Sequence, residues 1–249
     1  RLLDRVIAAL ESGELPGPFQ TDGQSILLED YLEIRPDRRA RVEKLARAGR
    51  LAVGPWYSMP DEFTVSGEAI IRNLLLGRTQ ARAFGATPAC TGYVPDMFGH
   101  NSQLPQIFAG CGINAVVLWR GINHDTKRNF LWRGADGTAL PCHKFARQGY
   151  GTYQAHVGRA HEPERVIEDD PAEFTRLLEK FLAEEAAATD VDALLLHDSC
   201  DHQEWSPRRH ALLVAALAGS QRYELVHSSL DDYARELCAQ RQRITGRLE

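Results

Sequence analysis

The sequence predicts an α/β fold in which mostly parallel strands are joined by helical crossovers. Stretches with apolar residues three or four apart alternate along the chain with short apolar runs bounded by turn residues, the pattern of strands separated by helices. The chain has 249 residues with 43% hydrophobic content, enough for one substantial core, and α/β barrels of about this length commonly form one domain. Several apolar runs also end in ionisable residues, Asp22, Asp96, Arg120 and the 197–202 segment. The carboxyl ends of strands are where this class collects its ligand-binding loops. Residues 1–249 are therefore read as a single domain.

The elements follow in order. Leu2, Leu3, Val6, Ile7 and Leu10 share one helical face and predict a helix over 2–11. A short strand at 19–21 stops at the turn Thr21-Asp22-Gly23-Gln24, where local grammar favours a turn role for Asp22 over a ligand contact. Helical spacing covers 26–33 and 38–48, and a strand at 51–57 ends in Trp56 and Tyr57. A helix over 68–84 leads to a strand at 90–94, then to Pro95-Asp96-Met97-Phe98-Gly99-His100-Asn101 and a helix over 102–110 that Gly110 and Gly112 close. A strand at 115–119 delivers Arg120. Two apolar segments, 130–132 and 140–145, flank Gly134-Ala135-Asp136-Gly137, a hairpin signal. The stretch 147–170 is rich in Gly, His and charge with little periodicity, and reads as a long loop lining a cleft. Helices over 171–188, 207–218 and 230–241 alternate with strands at 192–197 and 223–227. There is no repeat and no low-complexity segment.

Composition excludes several partners. A net charge of -5, a pI near 6.0 and scattered arginines give no basic surface for nucleic acid. A small neutral or polar ligand fits better. Five cysteines without a CxxC pair indicate neither a disulfide framework nor a thiolate zinc site, which points to a reducing cytoplasm. No apolar run approaches the roughly 18 residues of a membrane span, and no charged-then-apolar leader is present. The chain opens on Arg1 inside a helical pattern, so the native start is expected upstream. Self-association into a homo-oligomer is left open.

An Asp at a strand end ordinarily caps the next helix or turns the chain. Around Asp96, however, stand Gly54-Pro55-Trp56-Tyr57-Ser58-Met59-Pro60-Asp61-Glu62-Phe63, then Gly67-Glu68 with Ile71-Arg72-Asn73-Leu74-Leu75, and downstream Leu118-Trp119-Arg120. In this order the blocks resemble the catalytic domain of glycoside hydrolase family 38, the class II α-mannosidases and mannosylglycerate hydrolases. The resemblance covers most of the chain. It implies an irregular seven-stranded parallel β/α barrel of the glycoside hydrolase and deacetylase type, present here in part.

Glycoside hydrolysis with retention needs two carboxyl groups about 5–5.5 Å apart, one attacking the anomeric carbon and one protonating the leaving oxygen. The resemblance implies that Asp96 is the nucleophile and also a zinc ligand. In Leu194-Leu195-Leu196-His197-Asp198-Ser199-Cys200-Asp201-His202-Gln203 it implies that Asp201 is the general acid/base, with Asp198 the competing carboxylate. Arg120 is implied as a substrate contact, since a guanidinium fork suits a carboxylate or hydroxyl. His202 could orient the acid or bond a sugar hydroxyl, and Asp61 is a secondary substrate-site candidate. Trp56 reads as core rather than platform, His100 as a loop support, and His143 and Tyr150 as positions facing the cleft. The family's zinc site also implies a His-x-Asp pair and a later His. No His precedes His100, so the pair is expected upstream of Arg1, the later ligand beyond Glu249, and Asp96 alone within the chain. The function implied is zinc-assisted hydrolysis of terminal α-mannosides. Mannosylglycerate hydrolysis, a metal-dependent carbohydrate deacetylase on a related barrel, and an inactive sugar-binding fragment are the alternatives.

Overall fold

The computed structural model describes residues 1–122, 127–158 and 166–248. Helix α1 (Leu2–Ser12) buries Ile7 and Leu10 and ends at Gly13, whose φ of 82° only glycine adopts at little cost. Strand β1 (Phe19–Gln20) runs parallel to β2 (Leu51–Ala52), with Phe19 opposite Leu51. Between them, α2 (Ile26–Ile34) and α3 (Arg39–Arg47) form the crossover and bury Leu28, Leu32, Val42 and Leu45 with α1. β2 is shorter than the expected 51–57: its ladder stops at Ala52, where β1 ends, and Pro55 further on has no N–H to extend it. Pairing returns at one bridge, Gln24 opposite Trp56. Helix α4 (Gly67–Ala83) starts where the Ser66 hydroxyl accepts the Ala69 N–H at 3.2 Å. It packs so closely on the Pro55–Trp56 backbone that a Cβ at Gly77 would sit 2.4 Å from the Pro55 carbonyl oxygen.

The second sheet contains β3 (Thr91–Val94), β4 (Ala115–Leu118), β5 (Asn129–Arg133), β6 (Ala139–Lys144) and β7 (Gly246–Leu248), in spatial order β3-β4-β6-β5-β7. Every residue of β3 and β4 is buried, as parallel strands covered on both faces require. One face packs under α4 and α5 (Leu104–Gly110), through Trp56, Leu74, Phe108, Val116 and Leu118. On the other, α9 (Leu230–Ala239) places Tyr233, Ala234 and Leu237 against Ala115. The expected hairpin is present: β5 and β6 are antiparallel, and the Gly134 N–H donates to the Thr138 carbonyl at 2.7 Å. Helices α6 (Thr152–His156), α7 (Pro171–Ala188) and α8 (Pro207–Leu217) gather around Tyr153, Phe174, Phe181 and Leu213. Part of the expected 147–170 loop is thus helical, and its 159–165 portion lies outside the described residues.

The α/β class holds, but the described strands do not make one closed parallel barrel. They form two open sheets with one antiparallel pairing. The expected strands at 192–197 and 223–227 join neither ladder. Their side chains still alternate: Leu194 and Leu196 pack beside Phe181, whereas Ala193 and Leu195 pack beside Ala115 and Tyr233. The period-2 burial is met without ladder hydrogen bonds. The two sheets meet through Trp56, fully buried, whose indole N–H donates to the Tyr93 carbonyl at 2.8 Å. All five cysteines are free, and among the described residues no helix is long and apolar enough to cross a membrane.

Candidate active site

β3 and β4 pair in parallel with Val94 opposite Leu118. Two residues further along each strand stand Asp96 and Arg120, so the register that buries the strands also brings these side chains together. The Arg120 Nε–H donates to Asp96 Oδ1, and the Arg120 N–H donates to the Pro95 carbonyl at 3.3 Å. The guanidinium lies 3.9 Å from the Trp119 ring centroid and 5.3 Å from that of Phe98, a cation–π stack that fixes its plane. The Arg120 and Asp96 side chains are 40% and 41% exposed. An ion pair this open contributes little to stability; its consequence is orientation.

The loop after Asp96 is pinned from below by Glu62. Its buried carboxylate bonds His100 Nδ1 at 2.6 Å and accepts the Asn101 N–H and Nδ2–H at 2.8 Å each. His100 Nε2–H donates to the Arg120 carbonyl at 2.9 Å, which ties the β3 loop to the β4 loop. His100 therefore supports the loop. Asp61 lies in a local turn, where its carboxylate accepts the Phe63 N–H at 3.4 Å and its carbonyl the Thr64 hydroxyl at 3.0 Å. The neighbouring Glu62 is the acid that reaches the Asp96 loop.

Asp201 arrives from the extended 193–196 segment. Both of its carboxylate oxygens lie 3.1 Å from the Tyr150 hydroxyl. Tyr150 follows β6, the strand beside β4, and its ring meets Trp119 edge-on at 5.6 Å. Gly149, with φ of 63°, lets the chain pass Trp119, whose ring occupies the place of a Cβ. Burial raises the Tyr150 pKa first, then the Asp201 hydrogen bond and the charges of Asp201, Asp96 and Asp22. Tyr150 thus keeps its proton and donates it to Asp201. Asp198 points elsewhere: it accepts from Gln154 Nε2–H, burial raises its pKa and Arg209 opposes the rise. His202 is exposed with φ of 60°.

Asp22 lies near this group, although its sequence context favoured a turn role over a ligand contact. It leaves β1 in the left-handed region, φ 48°, and accepts from Gln24 Nε2–H at 3.2 Å. The residue keeps an exposed edge, yet partial desolvation raises its pKa, the Gln24 hydrogen bond opposes the rise, and the charges of Asp201 and Asp96 add to it. The signal that could have found it is the one that found Asp96, an Asp at the carboxyl end of a strand. His143 is buried on β6 with Nδ1 2.8 Å from the Tyr233 hydroxyl, lines one small pocket with Tyr150, and has its pKa lowered by burial to about 3. His197 packs between the Tyr93 and Phe145 rings and is lowered by burial to about 4.

Four separate stretches thus converge, Asp22 from β1, Asp96 with Arg120 from β3 and β4, Tyr150 after β6, and Asp201 from the 193–201 segment. Carboxylates of unequal environment beside a cation and a tyrosine suit proton transfer and nucleophilic attack at a polar substrate. Among the described residues no three His, Cys, Asp or Glu side chains are grouped to hold a metal ion.

Comparison with known proteins places the chain in a family. Residues 1–244 match the family described as glycosyl hydrolases family 38 N-terminal domain. A protein of Halalkalibacterium halodurans named putative mannosylglycerate hydrolase is 34% identical over 247 residues, covering 92% of this chain and 26% of that protein. Mouse alpha-mannosidase 2C1 is 34% identical over 124 residues, 47% of this chain and 12% of its own length. The crystal structure of an alpha-mannosidase from Enterococcus faecalis V583 superposes with a TM-score of 0.84 at 28% identity, covering 99% of this chain and 27% of that one. The chain thus spans about a quarter of the length of the relatives that cover it almost entirely. It belongs to glycosyl hydrolases family 38 and carries that family's N-terminal domain.

Proposed function

We propose that this domain supplies the nucleophile and the acid/base of an enzyme that hydrolyses terminal α-mannosides with retention. An Asp96 oxygen attacks the anomeric carbon while the glycosidic C–O bond breaks, and the leaving oxygen takes the proton of Asp201. Water then attacks the same carbon, returns a proton to Asp201 and releases the sugar from Asp96. Arg120 holds Asp96 Oδ1, which leaves attack to the other oxygen. Tyr150 steadies the Asp201 carboxyl, and Asp61 and His202 are assigned as rim contacts to substrate. The observation that supports the reading is the chain of contacts that joins Asp96 to Asp201 through Arg120, Trp119 and Tyr150.

Zinc, which the resemblance implies, takes no part in these steps. A catalytic zinc has about three protein ligands, and the donors grouped among the described residues do not fit one. We assign its further ligands to sequence outside this chain.

The test is kinetic, on the full-length protein with aryl α-mannosides. Asp201→Ala should lower kcat/KM by about 10²–10⁴-fold on a poor leaving group, and much less on a dinitrophenyl mannoside that needs no proton. Equal losses on both would remove Asp201 from the acid role and leave Asp198 to be tried. A second reading, mannosylglycerate hydrolysis, is favoured by the relative of that name, which covers 92% of this chain where the mouse mannosidase covers 47%. A kcat/KM for mannosylglycerate well above that for aryl α-mannosides would select it.

A further inference from the structure

The attack and protonation above use two carboxylates, and Asp22 is a third that they leave without a task. Its geometry is that of an aimed group. The backbone turns into the left-handed region at Asp22, and Gly23 follows so close to Tyr93 that a Cβ there would lie 2.6 Å from the ring. The Gly23 carbonyl accepts the Trp56 N–H at 2.9 Å, which clamps the turn to the β2 side. Gln24 is a strut: its Oε1 accepts the Met59 N–H at 2.8 Å, and its Nε2–H reaches Asp22 Oδ2.

A capping or turn-forming Asp would accept a backbone N–H. Among the described residues none donates to the Asp22 carboxylate, whose hydrogen-bond partner is the Gln24 side chain. A carboxylate has about four acceptor sites, and Gln24 fills one. The remainder are open on an exposed residue, in a turn whose Gly23 packs on Tyr93, three positions before Asp96, and the charges of Asp96 and Asp201 reach it. No cation among the described residues is bonded to Asp22. The groups that satisfy a carboxylate placed beside two others without adding charge are neutral O–H donors, and a sugar ring supplies these in pairs.

We infer that Asp22 is a specificity-determining residue that accepts hydrogen bonds from hydroxyls of the mannosyl ring held against Asp96. The inference rests on the α-mannosidase reading of the site. It adds that recognition of the sugar ring is built into the turn after β1, apart from the groups that break the bond. A contact made in both ground and transition states acts mainly on KM.

The experiment uses the full-length protein, wild type and Asp22→Asn, with aryl α-mannoside and its 2-, 3-, 4- and 6-deoxy analogues. Asp22→Asn should raise KM about 10- to 100-fold with kcat changed less than about threefold, the range for a charge-assisted hydrogen bond. On one or two deoxy analogues the wild type should lose a comparable factor and the variant should lose nothing further. A loss by Asp22→Asn of the same size on every analogue overturns the inference, as does no loss on any. A changed acid limb of the pH–kcat profile with KM unchanged also overturns it, since Asp22 would then act on Asp201 rather than on the sugar. A thermal melt of the variant separates misfolding, and Asp22→Glu, which restores the charge one methylene further out, should recover part of the KM. A wild type inactive on every α-mannoside fails the mannosidase reading and this inference with it; an active wild type with an indifferent Asp22→Asn fails the inference alone.

Discussion

At the scale of residues, the site is assembled by buried polar partners beneath exposed reactive groups. Glu62 accepts three hydrogen bonds where water does not reach, so removing it strands His100 and the Asn101 N–H. Glu62→Ala should cost about 3 kcal/mol in urea unfolding, and Asp61→Ala, one position away in an exposed turn, within about 0.5 kcal/mol; similar costs would contradict the loop assignment. His143 and His197 set the acid response. Both are neutral in the folded state, with pKa values lowered to about 3 and about 4 from the ordinary 6.5. The unfolded chain binds protons at these positions where the folded chain does not, so their contribution is complete above about pH 6.5 and is lost as pH falls towards 4 and then 3. The raised carboxyl groups of Asp22 and Asp198 oppose this on acidification. Unfolding free energy measured from pH 7 to 4 should fall, and His143→Gln and His197→Gln should each flatten the slope; an unchanged slope would contradict their burial as neutral rings. Asp96 and Arg120 were legible as strand-end residues. The Tyr150–Asp201 contact was not, because it joins positions 51 apart through packing that no local pattern encodes.

At the scale of elements, local grammar was most readable where the ends carry their own signals. Helix α7 occupies the expected 171–188 because Pro171 starts it and the Asp170 carboxylate accepts the Glu173 N–H at 3.0 Å. The β5–β6 hairpin followed from its Gly134–Gly137 turn. The segments at 192–197 and 223–227 show the limit: their apolar alternation predicts extended packing, which they have, whereas a ladder needs a neighbouring edge that the alternation does not specify. α4 is positioned by a small residue, not by its apolar face alone. Gly77→Ala would push a methyl into the Pro55 and Trp56 backbone and should destabilise by about 1–3 kcal/mol despite the better helix propensity of alanine. A neutral or stabilising Gly77→Ala would contradict the close approach of α4 to that segment.

At the scale of the molecule, two open sheets lie side by side with their chemistry gathered at strand ends, and Trp56 bonds across the seam to Tyr93. Family membership was legible because its blocks are contiguous words at 54–63, 67–77 and 93–101. Closure of a barrel was not, since it depends on pairings between distant segments. The domain covers about a quarter of its long relatives, and the zinc assignment places the missing ligands in the rest. Metal analysis should therefore find about one zinc per full-length protein and little in residues 1–249 alone; stoichiometric zinc in the domain would contradict the ligand assignment. The central claim, that Asp96 attacks the anomeric carbon, is tested most directly by trapping. Full-length protein treated with a fluorinated mannosyl fluoride and digested with protease should show one mannosyl adduct by mass spectrometry, on Asp96 and absent from Asp96→Asn. An adduct on another carboxylate, or none in an enzyme that turns over α-mannosides, would contradict it.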